Sequence, residues 1–372
     1  MNGFIAIILL LLSFPMQSVS GNVSQDKPLE RLAIIGHETT FMITMLREAQ
    51  KNFKEVIFVP IREHIQKGTE MPIVPNGVLD LRGKDKFDRL LQKKPQAIIS
   101  FLFDYGQKIA ALPAGDRPKM IILGSKTGLN QYESLPLATK KELKDIQIIS
   151  FWHSRLKRPD AFHGVGRSIL KVLSALHLDK KNRILLLGYG QTGKGIAFYL
   201  HKNGFHVYVV DTDPVESVIA LHDGFPVGTF ANVAKNSDVV IDATSGLAET
   251  LTPSSANFFT RPKVFVISTS THDHAITIQD GYKNSHGTLF RVHSSHGMSN
   301  MYHHVGGNDD EAMRLTGLSL LYAAEHYPLN PEDLVLVNGY LKQFSPAFEK
   351  KIAREFLKHP QLFGGPILPK ID

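Results

Sequence analysis

Gly188-Tyr-Gly190-Gln-Thr-Gly193 lies between an apolar run at 184–187 and a stretch of helical character at 194–203. Three glycines at that spacing, at that kind of junction, admit few folds. The first permits a tight turn, the second lets main chain approach a pyrophosphate, and the third lets helix and strand pack closely. The helix N-terminus then turns unpaired N–H groups and the positive end of its dipole toward the phosphates. A second apolar run, 206–210, ends at Asp211. A carboxylate there accepts ribose hydroxyls and repels a 2′-phosphate, which favours NAD over NADP. The pattern predicts a Rossmann domain whose cofactor-binding residues include Gly188, Gly190, Gln191, Thr192, Gly193 and Asp211. A glycine-rich turn without a ligand is the plain alternative.

The remainder of the chain repeats the alternation of buried strand and helix. Residues 32–36, 56–60, 97–101, 120–124 and 146–151 are short, mostly continuous apolar runs separated by helical spacings. Such runs mark parallel strands covered on both faces. One long helix is expected over 161–176, followed by strands at 183–188, 206–210, 239–242 and 264–267. The last part reads mainly helical, over 311–327, 331–341 and 345–357. The expected fold is α/β, with two doubly wound parallel-sheet domains, the second a Rossmann NAD-binding domain, and a C-terminal helical return to the first. The expected limits are 1–20 for a signal peptide, 22–160 for a substrate-type α/β domain, 161–297 for the NAD-binding domain and 298–372 for the returning helices.

The signal peptide rests on FIAIILLLLSF at 4–14, the break at Pro15 and the small residues Ser18 and Ser20 before Gly21. No Lys or Arg precedes the run. Such a leader implies a secreted or periplasmic protein; without it the chain is cytoplasmic. The 372 residues include no cysteine, which excludes a disulfide scaffold, a cysteine nucleophile, thiolate zinc and an iron–sulfur cluster. The net charge of +7 is scattered, with no run of five Lys/Arg, so no nucleic-acid groove is expected. A small-molecule substrate is expected, with no membrane partner for the mature form. The apolar helical face at 315–322 is compatible with a homo-oligomer. His272, His274, His286, His293, His296, His303 and His304 crowd one stretch, but no H-E-x-x-H occurs and carboxylates nearby are few. They are expected as solvated or structural histidines, with no metal. Arg155, Lys157, Arg158 and Arg167 form either a solvated face or a surface for an anionic substrate. Lys194 is expected to be exposed on the first turn after the glycine loop.

Several strings taken together resemble the S-adenosylhomocysteine hydrolase (adenosylhomocysteinase) family. Gly188-Tyr-Gly-Gln-Thr-Gly-Lys-Gly195 is similar to its GYGxVGKG, and Asp211-Thr-Asp-Pro214 to its acidic-x-D-P. His293-Ser-Ser-His-Gly-Met-Ser-Asn300 is similar to its H-P-S-x-x-M-S-N, and Glu38-Thr39 to its E-T-A-V-L helix. Phe103-Asp104-Tyr-Gly106 and Ser270-Thr-His272 fall at its D-D-G and I-G-H. The resemblance runs in order from about residue 32 to 320 and is better in the nucleotide-binding half.

The resemblance implies enzyme-held NAD that transiently oxidises a ribose hydroxyl, after which a base removes the acidified neighbouring proton and the thiol leaves. It implies Asp104, Asp160 and His272 as catalytic residues, Thr39 and His293 at the substrate, and Asn300 at the cofactor. Asp104 has a structural alternative, capping the helix that follows it. The chain also departs from the family. Gly124 stands where a ribose-binding Glu is carried, Leu156 at a signature Lys, Ala161 at the following Asn and Val165 at a Cys. Lys157 flanks the vacated Lys position and is the candidate replacement. The C-terminal Lys and Tyr of the family have no counterpart. The expected function is a diverged enzyme on a nucleoside thioether or related hydroxylated substrate. A non-catalytic NAD-binding regulator and an NAD-dependent hydroxy-acid dehydrogenase are the alternatives.

Overall fold

The computed structural model describes residues 28–36, 40–61, 73–244, 249–269, 276–292 and 309–358. The expected leader at 1–20 lies outside them. No helix among the described residues is long and apolar enough to cross a membrane.

The first sheet takes its strands from both ends of the chain. They are β1 (Arg31–Gly36), β2 (Glu55–Pro60), β3 (Leu79–Asp80), β4 (Ala97–Ser100), β5 (Met120–Leu123) and β6 (Gln147–Ser150). The second sheet holds β7 (Arg183–Leu187), β8 (His206–Val210), β9 (Val239–Asp242), β10 (Lys263–Ser268), β11 (Tyr282–Lys283) and β12 (Thr288–Arg291). Two further strands, β13 (Leu334–Asn338) and β14 (Leu341–Phe344), return to the first sheet. Among the described residues the orders are β13-β14-β6-β5-β4-β1-β2-β3 and β11-β12-β10-β9-β7-β8. Only β13 and β11 run antiparallel to their neighbours. The apolar runs form these strands because helices cover both faces: Leu32–Ile35, Ile98, Ile99, Ile121, Ile122 and Ile184–Leu187 are buried. Each side chain so buried contributes about 1.5–3 kcal/mol.

Both sheets reverse their strand order at one point. In the first, β1 leads outward to β2 while β4, β5 and β6 lie on its other side; in the second, β7 leads to β8 while β9 and β10 lie opposite. Ligand crevices in open parallel sheets form at that reversal, beyond the carboxyl ends of the strands. Among the described residues, the segments that follow β4 and β7, and residues 243–244 after β9, therefore border the two candidate crevices.

Three local expectations change. Residues 331–341 are not a helix but a short turn, Pro331–Asp333, leading into the β13–β14 hairpin, which turns at Gly339-Tyr340 with Gly339 at φ +56°. A glycine at the first position of a two-residue loop is a hairpin signal that outweighs helical spacing. The helix expected over 161–176 begins as a wide π turn, Asp160–Gly164, and becomes α-helical at Val165–Ala175. Here the chain passes close to the helix Gln191–Lys202. A Cβ on Gly195 would lie 2.1 Å from the Phe162 carbonyl oxygen, and one on Gly166 would lie 2.6 Å from that of Gly195. The apolar face at 315–322 belongs to the helix Asp309–Glu325, which packs on the helix Thr40–Asn52 and on the π turn. Thr316, Ser319, Leu320 and Leu321 are buried inside the subunit, so this face is not available to a second copy.

Candidate functional site

The nucleotide crevice is built where β7 ends. Gly188 sits at φ +90°, in the left-handed region that suits glycine. A Cβ on Gly193 would lie 2.0 Å from the Gly188 carbonyl oxygen, so the helix Gln191–Lys202 can start there only with hydrogen at that position. Gly190 differs: a Cβ there would meet nothing within 4 Å, which leaves its main chain open on the crevice side. The loop is pinned by Tyr189 between the glycines. Its ring is buried against Phe225 and its hydroxyl donates to Asp223 at 2.9 Å. Burial, then the bond and charge of Asp223, push the Tyr189 phenol well above its usual value.

Asp211 ties this loop to the end of β8. One carboxylate oxygen accepts from the Tyr189 N–H and the other from the Asp213 N–H at 2.8 Å. Each oxygen keeps a lone pair for a further donor. Asp213 caps the helix Pro214–His222, accepting from the Val215 N–H at 2.8 Å, with Pro214 at the first helical position. The acidic-x-D-P string thus has a structural basis at both carboxylates. Lys194 is not free on the surface: it is half-buried, pairs with Glu216 at 2.7 Å and lies 5.7 Å from the Tyr189 ring centre. Gln191 and Thr192 occupy the first turn of the helix. The Gln191 Nε2 is buried and has no hydrogen-bond partner among the described residues. An open glycine main chain, a helix N-terminus, a two-oxygen acceptor and a buried amide donor suit a dinucleotide. Gly188, Gly190, Gln191, Thr192, Gly193 and Asp211 are brought together; Asn300 lies outside the described residues.

A second group stands at the connection between the sheets. Lys157 and Asp160 are both buried and form an ion pair. Thr316, from the returning helix, places its hydroxyl 3.5 Å from the same Asp160 oxygen. Asp160 opens the π turn whose Phe162 carbonyl touches the nucleotide-binding helix, so the pair is linked mechanically to the cofactor crevice. Nearby, the buried Glu349 accepts from the Arg155 N–H at 2.8 Å and from its guanidinium at 2.7 Å. Arg167 instead donates to the His163 carbonyl at 3.2 Å. Arg155, Lys157 and Arg167 therefore serve separate partners and do not form one anion-facing surface. Neither Thr316 nor Glu349 was identifiable from spacing, because both lie far along the chain from the residues they hold.

The first-sheet crevice has a different lining. The Phe101 ring spans the carboxyl edge. A Cβ on Gly124 would lie 3.0 Å from it and 3.3 Å from Leu320, and one on Gly36 would lie 3.4 Å from it. Ser125 caps the helix Lys126–Glu133, accepting from the Gly128 N–H, which gives the loop after β5 a structural role. Asp104 is exposed on the turn after β4. It does not occupy the cap of the next helix, Gly106–Ala110; Tyr105 holds that position without a side-chain cap bond. Thr39, His272 and His293 lie outside the described residues, as do the other crowded histidines except His286. Among the described residues no three His, Asp or Glu side chains are grouped to hold a metal.

Residues 170–285 match the family model described as "S-adenosyl-L-homocysteine hydrolase, NAD binding domain". An adenosylhomocysteinase of Thermoplasma acidophilum is 37% identical over 87 residues, 23% of this chain and 21% of that protein. An S-inosyl-L-homocysteine hydrolase of Methanothermobacter thermautotrophicus is 26% identical over 170 residues, 43% of this chain and 39% of that protein. The chain thus spans from about a fifth to two fifths of these relatives' length. The structure of D-lactate dehydrogenase from Escherichia coli aligns with 78% of this chain and 95% of its own, at 15% identity and a TM-score of 0.48. At that identity and score the likeness says nothing of this chain's chemistry. The glycine loop, its carboxylate and the family match coincide in one segment: the second sheet forms an NAD-binding domain, and residues 170–285 are similar to the NAD-binding domain of S-adenosylhomocysteine hydrolases.

Proposed function

We propose that the chain is an enzyme that keeps NAD bound and works on a hydroxyl-bearing substrate, a nucleoside thioether or a related compound, between the first-sheet crevice and the NAD-binding domain. The observation that carries this reading is the buried Lys157–Asp160 pair. Burying two ionised groups costs several kcal/mol each before their attraction offsets it. A chain that needed only stability at this point has cheaper apolar solutions.

Bound NAD supplies a hydride acceptor. The protein must then take the proton released from the oxidised hydroxyl. The buried Lys157–Asp160 pair is the group that takes it. Return of the hydride runs the same transfers backward, so the pair ends each cycle as it began. Burial keeps water from competing for that proton. Thr316 fixes the Asp160 carboxylate, and Arg155–Glu349 fixes the turn that carries Lys157. On the opposite side, among the described residues, the crevice is edged by Phe101, Leu320 and Gly124.

The absence of cysteine makes a direct test simple, since the protein contributes no thiol. The protein is loaded with NAD and mixed with S-adenosylhomocysteine or S-inosylhomocysteine, and free thiol is followed with a colorimetric reagent. NAD-dependent release that Lys157→Met abolishes is expected. No release from either, together with no reduction of bound NAD by any ribose-bearing ligand, would leave a non-catalytic NAD-binding protein.

A further inference from the structure

A dinucleotide lies across the point where a parallel sheet reverses its strand order, so its halves fall on opposite sides of the strand that carries the glycine loop. In the second sheet that strand is β7. Asp211, at the end of β8, marks the adenosine side, and the loop at Gly188–Gly193 marks the pyrophosphate. The nicotinamide half is left to the other side, beyond the ends of β9 and β10. Asp242 ends β9 there. It stands in register with Leu187, the residue before the glycine loop, and with Ser268 at the end of β10. The strand is otherwise apolar, Val239-Val240-Ile241, and Asp242 is as fully buried as those residues are.

The surroundings hold this carboxylate in place. Its Oδ1 accepts from the Thr244 N–H at 3.2 Å and from the Thr244 hydroxyl at 2.6 Å. Its main-chain carbonyl accepts from the Thr269 N–H at 2.9 Å and from the Thr269 hydroxyl at 2.8 Å. The turn so fixed packs on the glycine loop. A Cβ on Gly188 would lie 3.1 Å from the Ala243 carbonyl and 3.2 Å from the Thr244 nitrogen. The residues that follow the carboxylate therefore adjoin the cofactor loop itself. Burying a carboxylate is costly where an apolar residue would continue the strand.

We infer that Asp242 sets the oxidation state in which the cofactor is held. Its negative charge favours the oxidised nicotinamide ring, which is positive, over the reduced ring, which is neutral. Burial strengthens the effect, because the effective dielectric is lower there than in water. Thr244 acts through Asp242 as a positioning residue. A cofactor held oxidised at rest is the state from which the proposed cycle starts, but the inference rests on the NAD site alone and not on that reaction.

The test measures the affinities of the full chain for NAD and for NADH by calorimetry. Wild type is expected to bind NAD about tenfold more tightly than NADH, the order of an attraction between unit charges in a partly buried site. Asp242→Asn keeps the shape and an acceptor for Thr244 but removes the charge. It should bring the two affinities to within about twofold of each other, by weakening NAD and leaving NADH nearly unchanged. Thr244→Val keeps the charge and one of the two bonds to it, and should keep the preference for NAD. Equal affinities in wild type, or tighter binding of NADH, would overturn the inference, and that result does not depend on the folding of any variant. So would an Asp242→Asn protein that loses both affinities in equal measure, the mark of a carboxylate that only shapes the turn. Turnover enters neither readout, so failure of the proposed reaction and failure of this inference are told apart.

Discussion

The two crevices share a topology and differ in what lines them. Each opens where a parallel sheet reverses its strand order, and each is bordered by loops after the strands at that reversal. The second is polar and held by main-chain bonds: Asp211 accepts from two N–H groups, Gly188 takes a left-handed turn, and Tyr189 anchors the loop from beneath. The first is edged by Phe101, Met42, Leu320 and two glycines. At the connection between the sheets, Lys157 pairs with Asp160. Architecture is thus common to both halves, while chemistry is set by a few loop residues.

The largest effect is expected at the connection. Lys157→Ala leaves a buried, unpaired Asp160 and should destabilise the chain by about 3–5 kcal/mol in urea unfolding. The double variant Lys157→Met/Asp160→Leu should recover most of that loss without recovering turnover. Recovery of both would mean that the pair is structural. Next is the glycine loop. Gly193→Ala forces a methyl into the Gly188 carbonyl oxygen and should weaken NAD binding by about 100-fold, measured by calorimetry, because a small misplacement carries that cost. First-sheet unfolding should be little changed, and an equal loss there would erase the distinction between the halves.

A smaller change is expected at Asp211. Asp211→Asn removes one charged hydrogen bond, about 1.5 kcal/mol, which is about tenfold in NAD affinity. The preference for NAD over NADP should narrow at the same time, since the repulsive charge is gone. Unchanged selectivity would place cofactor discrimination elsewhere. The smallest effect is Tyr189→Phe, which strips the bond to Asp223 but keeps the ring packing. It should cost about 1 kcal/mol of stability and barely alter NAD affinity.

The nucleotide half was legible because its signal is local. Gly188, Gly190, Gly193 and Asp211 lie within one strand–helix–strand unit, and each has a backbone or charge reason for its identity. The connection was only partly legible. Lys157 and Asp160 stood out as residue types, but Thr316 and Glu349 approach them through tertiary packing that no spacing encodes. Residues 331–341 read as helical but form a turn and the β13–β14 hairpin, because Gly339 takes the left-handed conformation that a two-residue loop needs. The wide turn at Asp160–Gly164 has its reason in a distant contact, between the Phe162 main chain and Gly195.

The central claim is that an intact NAD-binding half is served by the Lys157–Asp160 pair rather than by the lining of the first crevice. It is tested most directly by following the absorbance of reduced nicotinamide after NAD-loaded protein is mixed with adenosine, inosine or a nucleoside thioether. The account predicts a transient signal from bound cofactor in wild type, with no free NADH accumulating, and no signal in Lys157→Met at full NAD occupancy. Steady NADH release from a simple hydroxy acid would contradict it, as would an undiminished signal in the Lys157→Met variant.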